Sequence, residues 1–139
     1  MKKNEPIAKV MTSDVVTIQE GELVSKVRQL FQETGVHHLP VLSGQKLVGI
    51  MSWNDFLKAT IGDLEGHDPD TLDEKLDEAY TLDELMIRNP VTVDFNGTVQ
   101  DAAVTLGDRE FHSLPVVDDG ELVGIVTSSD LIRFLADLL

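Results

Sequence analysis

Apolar and polar positions alternate along the first half of the chain with a period that changes between strand-like and helix-like. Short β-branched runs mark strands, and apolar residues three and four positions apart mark helices. The turn Ser43-Gly44-Gln45 separates two of the strands and predicts a hairpin. The predicted elements are a strand at 15–18, a helix from 23 to the stop at Gly35, strands at 39–42 and 46–51, and a helix at 52–60. The first half is therefore expected to fold as a β-α-β-β-α unit.

The second half repeats this pattern at a constant offset. Between Met11 and Leu57, 13 of 47 positions are identical to the residue 75 positions later. The corresponding elements are strands at 91–93, 114–117 and 121–126, and helices at 99–106 and from 127 to near the C-terminus. A repeated unit usually buries its apolar face against its copy. We therefore predict an α/β fold of two pseudo-symmetric units, with a cleft on or near the axis that relates them.

An acidic segment, residues 61–84, joins the two repeats. The expected boundaries are 7–60 for the first unit, 61–84 for the segment and 85–139 for the second unit. The segment contains ten Asp or Glu residues and one Lys. Gly66-His67-Asp68-Pro69 is typical of a loop, and residues 73–85 have helical spacing with Leu76, Tyr80 and Leu85 inward. Two interpretations stay open, a solvated acidic linker and a site for a divalent cation or a basic partner.

The composition excludes several classes of function. With a net charge of -14 and a pI near 4.4, the chain would be repelled by nucleic acid and by anionic membranes. It has no cysteine, which excludes disulfides, thiol catalysis and Cys-ligated metals. We find neither a signal peptide nor an apolar run approaching the ~20 residues needed to span a bilayer. We therefore expect a cytoplasmic protein.

A Ser or Thr three residues before an Asp opens the last helix of each repeat, as Ser52 with Asp55 and Thr127 with Asp130. One interpretation is a capping box, in which the hydroxyl accepts from first-turn amides and the acid bonds back to the backbone. The other is a ligand site. A helix N-terminus favours an anion, and a carboxylate beside it can accept two hydrogen bonds from a ribose diol.

Each of these acids is followed by a cation three residues later, Lys58 after Asp55 and Arg133 after Asp130. The pair is either an ion pair on one helix face or a cation placed over a ligand phosphate. Arg109 is a further cation that we expect near the second cleft.

The strand entrances His37-His38-Leu39-Pro40 and His112-Ser113-Leu114-Pro115 are also repeated. Proline removes a backbone donor and leaves a gap that a flat ring could approach. Adjacent histidines point to opposite faces of an extended strand, so they make a weak metal site. No nucleophile lies at a recognisable spacing from a base. We expect no metal site and no catalytic residue.

Taken together, these motifs resemble cystathionine-β-synthase (CBS) domains. The first copy consists of Met11-Thr12, Val16-Thr17-Ile18, residues 35–41, residues 47–52 and Asp55. The second consists of Met86, residues 90–93, residues 114–118, residues 122–127 and Asp130. The two copies stand in tandem and in register, and they cover nearly the whole chain. The chain is therefore similar to a CBS pair.

The resemblance implies two units packed sheet to sheet, with two clefts that bind adenosyl compounds. The ribose-binding acid of the family matches Asp55 and Asp130, and its phosphate-facing Ser or Thr matches Ser52 and Thr127. The positions that pack on the base match Val16, Thr17, His38 and Pro40 in one cleft, and Thr92, Val93, Ser113 and Pro115 in the other. The chain departs from the family pattern at Trp53, which is bulky, and at Glu110, which stands where the first repeat has Gly35.

We therefore expect a stand-alone regulatory sensor without enzymatic activity. Its ligand would be AMP, ATP or S-adenosylmethionine, and no cofactor would be required. We also expect a homodimer, a separate effector protein as a candidate partner, and no binding to nucleic acid or membranes. The alternative is a structural dimerisation module with vestigial clefts. A metal-dependent enzyme would need ligands that the sequence does not offer.

Overall fold

The structure, a computed structural model, describes residues 5–64, 68–108 and 112–139. The Gly66-His67 part of the predicted loop and the two positions Arg109 and Glu110 lie outside the described residues. Two compact units are present. The N-terminal unit consists of Val16–Gly44 and Val48–Asn89, and the C-terminal unit consists of Met1–Val15, Gln45–Leu47 and Pro90–Leu139. Each unit therefore centres on one sequence repeat.

The N-terminal unit contains most of the first repeat and the segment that follows it. Its elements are β1 (Ile18–Gln19), α1 (Val24–Thr34), β2 (His38–Ser43), all but the first two residues of β3 (Lys46–Ser52), α2 (Trp53–Leu64), α3 (Pro69–Ala79), α4 (Leu82–Leu85) and β4 (Ile87–Arg88). Strand β1 runs parallel to β2, with Ile18 paired to Val41. Strand β3 is hydrogen-bonded to β2 and pairs antiparallel with β4.

The C-terminal unit repeats this arrangement. Its elements are a 3-10 helix (Ile7–Lys9), β5 (Val93–Asp94), α5 (Val99–Asp108), β6 (Ser113–Asp118), β7 (Glu121–Thr127) and α6 (Ser128–Leu138). Strand β5 runs parallel to β6, with Val93 paired to Val116, which is the Ile18–Val41 pair shifted by 75 positions. Strand β6 pairs antiparallel with β7. The predicted α/β fold and its duplication are confirmed.

A short segment at the start of each repeat completes the sheet of the other repeat. Ile87 pairs with Ile50 of β3, and in the same way Thr12 bridges to Ile125 of β7. The repeated glycine of Leu-Val-Gly-Ile makes this approach feasible. A Cβ on Gly124 would lie 2.7 Å from Met11 Sδ and 3.0 Å from the carbonyl oxygen of Thr12. The glycine is therefore required by packing, because any side chain would occupy the space of Met11 and Thr12.

The core of each unit forms where the amphipathic first helix covers its sheet. In the N-terminal unit, Val24, Val27 and Phe31 follow helical spacing along α1 and are buried. They belong to one cluster with buried strand residues such as Leu39 and Val41. The C-terminal unit has an equivalent cluster, which contains Ile7, Val93, Ala102, Leu106, Leu114, Val116 and Val126.

The acidic segment forms a docked helix over much of its described part. Leu76 of α3 is fully buried, and Tyr80 packs against the same core, as the helical spacing predicts. Two acids of α3 bind α1. Asp73 accepts two hydrogen bonds from Arg28, at 2.6 and 2.9 Å, and the Arg28 guanidinium lowers the pKa of the Asp73 carboxyl. Glu74, Glu78 and Glu84 are exposed, so the solvated interpretation fits these acids but not Asp73.

Asp77 compensates for a missing helix cap. The residue before α1 is Leu23, whose side chain makes no capping hydrogen bond. Asp77 supplies the acceptor instead, taking hydrogen bonds from the Ser25 backbone N–H and the Ser25 hydroxyl, both at 2.8 Å. The equivalent helix α5 has its own cap, because Thr98 and Asp101 bond to each other's backbone N–H. Helix α3 therefore supplies the cap of α1 in the N-terminal unit, whereas α5 of the C-terminal unit is capped by residues next to it in the sequence.

Several predicted elements have different bounds. The first strand of each repeat is only two residues long and begins later than predicted, at Ile18 and Val93. The helix predicted at 73–85 is two helices, α3 and α4, because the chain turns at Tyr80 and Thr81 caps the second one. Among the described residues, no helix is both long and apolar enough to cross a membrane.

Candidate functional site

The start of α6 carries the second repeated motif, and it forms a capping box. Thr127 is the N-cap, and its hydroxyl accepts a hydrogen bond from the Asp130 backbone N–H at 3.1 Å. The Asp130 carboxylate accepts a hydrogen bond from the Thr127 backbone N–H at 2.9 Å through Oδ2. The capping interpretation of the motif is therefore confirmed in this repeat. The cap also fixes the position of the carboxylate, so it does not exclude a ligand site.

Arg133 binds the other oxygen of the same carboxylate. Its guanidinium forms an ion pair with Asp130 Oδ1, so the cation three residues after the acid is an ion-pair partner here. The two side chains differ in exposure, because Asp130 is 8% exposed and Arg133 is 69% exposed. The buried carboxylate of Asp130, which the capping box holds in place, is thus paired with the largely solvent-exposed side chain of Arg133.

The first repeat has the same motif with a less complete hydrogen-bond pattern. The Ser52 hydroxyl accepts a hydrogen bond from the Asp55 backbone N–H at 3.0 Å. Within the described part of the chain, the Asp55 carboxylate has no hydrogen bond or ion pair, and Lys58 is exposed without an ion pair. Asp55 itself is half-buried. This carboxylate keeps all its acceptor capacity, whereas that of Asp130 is partly used.

Sheet pairing brings the other predicted residues of the second repeat to the same edge. Ser113 begins β6 and is the direct partner of Thr127, which ends β7. Thr92 and Pro115 each directly precede one member of the parallel pair Val93–Val116. Ser113, Pro115 and Val93 are buried, and Thr92 is half-buried. The start of β5, the start of β6 and the end of β7 therefore meet where α6 begins.

The first repeat places its predicted residues in the same way. Thr17 and Pro40 directly precede the parallel pair Ile18–Val41, and Val16 comes one position earlier. Pro40 is buried, and Val16, Thr17 and His38 are half-buried. The backbone N–H of Trp53 donates to the His37 carbonyl oxygen at 2.9 Å, as Ser128 does to His112 at 3.0 Å. Both helix starts are therefore attached to the strand entrance by an equivalent hydrogen bond.

An aromatic cluster at the start of α2 is specific to the first repeat. The Trp53 ring stacks on Phe56 with centroids 5.7 Å apart, and it meets Phe31 of α1 at 5.3 Å. The sequence identifies Trp53 as bulky, but the spacing does not show that its ring packs on the core. Ser128 stands at this position in the second repeat. The two candidate sites therefore differ in the side chain that follows the N-cap.

The arrangement favours binding over covalent chemistry. Each site combines a hydroxyl, a carboxylate, the N-terminus of a helix of eleven or twelve residues, and a buried proline at a strand entrance. Such groups can hold a polar, partly anionic ligand that also has a flat ring. Among the described residues, no group of three His, Asp or Glu side chains could hold a metal ion.

Comparison with known proteins gives consistent matches. The family described as the CBS domain matches residues 7–62 and 82–137. The solved structure of CBSX2 from Arabidopsis thaliana in complex with AMP is 26% identical, with a TM-score of 0.81, and the match covers 97% of this chain and 99% of that one. The CBS pair of MJ0100, solved with 5′-methylthioadenosine and S-adenosyl-L-methionine, is 25% identical with a TM-score of 0.75, covering 94% and 98% of the two chains.

A longer relative shows the same match over part of its length. MJ1225 of Methanocaldococcus jannaschii is 27% identical over 133 residues, which is 95% of this chain and 43% of that protein. Its solved structure has a TM-score of 0.79 and also matches over 97% of this chain. The chain thus spans less than half of the length of this curated relative.

Proposed function

The chain belongs to the CBS-domain family, and we propose that it is a regulatory module that senses an adenosyl ligand. The observation that carries the proposal is the repeated placement of an acid and a hydroxyl at the start of a helix, beside a buried proline at the strand entrance. Relatives of the same fold are solved with AMP, or with S-adenosyl-L-methionine and 5′-methylthioadenosine. These ligands share an adenosine group, so we propose the same ligand class here.

We assign a role to each group of residues from its chemistry. Asp130 and Asp55 accept hydrogen bonds from the ribose diol, because a fixed carboxylate can bind two hydroxyls. Thr127 and Ser52 lie at helix N-termini, where backbone dipoles favour a phosphate or carboxylate.

The remaining residues form the base pocket and its charged rim. We propose that the adenine ring packs on residues at the strand entrances. They are Val16, Thr17, His38 and Pro40 in the first site, and Thr92, Val93, Ser113 and Pro115 in the second. We further propose that Lys58 and Arg133 interact with the charged part of the ligand.

The proposed module acts by binding and not by catalysis. We propose that it requires no cofactor and is not an enzyme, and that it works in the cytoplasm on a separate effector protein. We propose that nucleic acid is not a partner, because a net charge of -14 would repel its phosphate backbone. We keep 7–60, 61–84 and 85–139 as the proposed boundaries of the two CBS units and the acidic segment.

We also propose a homodimer, because α6 has an exposed apolar side. Leu135, Leu138 and Leu139 are 44%, 49% and 98% exposed, and Ile132 is 66% exposed. Exposed apolar patches usually mark interaction sites. Light scattering at micromolar concentration should give the mass of a dimer. A monomer mass would contradict this part of the proposal.

A thermal-shift panel tests the ligand class. AMP, ADP, ATP, S-adenosylmethionine and NAD would each be added, with guanosine monophosphate as a control for the base. A ligand at 100 times its Kd adds ~2.7 kcal/mol of stability. Stabilisation by an adenosyl compound but not by the guanosine compound supports the proposal. If no adenosyl compound shifts the transition, the alternative of a dimerisation module with vestigial clefts is favoured.

A further inference from the structure

The carboxylates of the two candidate sites differ in their hydrogen-bond and ion-pair partners. Both carboxylate oxygens of Asp130 accept a hydrogen bond. The Thr127 backbone N–H donates to Oδ2, and Arg133 donates to Oδ1. Asp55 has no such partner among the described residues. The sequence motifs do not show this difference, since each has a cation three positions after the acid.

Of the two partners of Asp130, Arg133 is the one that can leave. The bond from Thr127 belongs to the capping box, so breaking it would open the first turn of α6. Among the described residues, the guanidinium of Arg133 is held only by Asp130, and 69% of the Arg133 side chain is exposed. A long exposed stem lets the charged group move without disturbing the helix.

We propose that Arg133 is a selectivity residue of the second site, favouring adenosyl ligands that carry an anionic group. This inference rests on the proposed function, because it concerns the same site. A ribose diol that binds both carboxylate oxygens competes with Arg133 for Oδ1. A ligand with a phosphate gives the displaced guanidinium a new anionic partner, which can be bound in a bidentate manner.

A neutral nucleoside offers no such partner. Its binding at the second site therefore loses the Asp130–Arg133 ion pair without replacing it. Because Asp130 is nearly buried, its ion pair with Arg133 should contribute about 1 kcal/mol, the upper end of the range for exposed ion pairs. The corresponding preference for AMP over adenosine is roughly fivefold. At the first site, Asp55 has no ion-pair partner among the described residues, so adenosine and AMP should differ less for this reason.

The experiment measures a ratio of affinities at the second site alone. Asp55→Ala removes the acid of the first site, and calorimetry then gives Kd for AMP and for adenosine. Arg133→Gln and Arg133→Lys are compared in that background. Lys26→Gln serves as a charge-matched control, because Lys26 is an exposed residue of α1 outside both candidate sites.

We expect Arg133→Gln to lower the preference for AMP by roughly fivefold, with adenosine binding no weaker than before. Arg133→Lys should keep most of the preference, and Lys26→Gln should keep all of it. An unchanged ratio in Arg133→Gln, or an equal change in Lys26→Gln, would overturn the role of Arg133 alone. If AMP binds the unmodified chain but not Asp55→Ala, the second site is unused and the proposed role of Arg133 is also overturned. If neither compound binds the unmodified chain, the proposed function itself fails.

Discussion

Replacing Asp77 with Ala should destabilise the protein although Asp77 lies outside both candidate sites. The change removes the acceptor of two hydrogen bonds, from the Ser25 backbone N–H and from the Ser25 hydroxyl, each 2.8 Å long. Loss of a helix cap costs about 1 kcal/mol. Leaving a buried hydroxyl without its acceptor costs about 1 kcal/mol more, because Ser25 is only 7% exposed.

Part of this loss is offset within α3 itself. Alanine is a better helix former than aspartate by about 0.5 kcal/mol. The expected decrease in the free energy of unfolding is therefore about 1.5 kcal/mol, measured by urea denaturation. Asp77→Asn should lose about half as much, since its side-chain oxygen still accepts one of the two hydrogen bonds.

The neighbouring residue provides the control. Glu78 is exposed on the same helix, so Glu78→Ala should change the free energy of unfolding by less than about 0.5 kcal/mol. If Asp77→Ala and Glu78→Ala are equally stable, α3 does not cap α1 in solution.

Three further predictions concern pH, packing and charge. Arg28 lowers the pKa of Asp73 below its ordinary value of 3.8, so this pair stabilises the fold above that pH and the stabilisation is lost as the pH falls. Acid titration of stability should therefore show a smaller loss below about pH 4 in Asp73→Asn than in the unmodified protein. Gly124→Ala should reduce stability by about 1–3 kcal/mol in denaturant, because its Cβ would lie 3.0 Å from the Thr12 carbonyl oxygen. A neutral effect would show that the segment of Met11 and Thr12 moves aside. AMP should bind more tightly than ATP without Mg²⁺, because each added phosphate meets a chain of net charge -14. Tighter binding of ATP at both low and high salt would show that local contacts set the preference.

The sequence was sufficient to predict the duplicated α/β fold because its information lies in periodicity. The apolar positions of α1, such as Val24, Val27 and Phe31, follow the helical repeat, and each is buried. The hairpin strands also have nearly the expected bounds. The first strands were placed too early because Val16 and Thr17 have β-branched side chains but precede the ladder, and periodicity does not show where pairing begins.

What escaped prediction depends on contacts between distant residues. Asp77 and Ser25 are 52 positions apart, and nothing in the local sequence indicates that an acid of α3 caps α1. Leu23 at the N-cap was a usable signal, since it leaves α1 without a capping side chain.

In the candidate sites too, the motif could be predicted from the sequence but the contacts of its side chains could not. The sequence predicts the Ser/Thr-x-x-Asp motif in both repeats. It does not show that Asp130 binds Arg133 while Asp55 lacks a partner in the described part of the chain, because Lys58 and Arg133 have the same spacing. Whether a cation reaches the acid three positions before it depends on side-chain conformation, which the spacing of charges does not show.

The most direct test of the central claim is calorimetric titration of AMP and S-adenosylmethionine into the unmodified protein and into the Asp55→Ala/Asp130→Ala double variant. Asp101→Ala is the matched control, because it removes an equivalent capping box from α5, away from both sites. We predict saturable binding of at least one ligand to the unmodified protein and to Asp101→Ala, and a loss of tenfold or more in the double variant. Unchanged affinity in a folded double variant, or no saturable binding to the unmodified protein, would contradict the account.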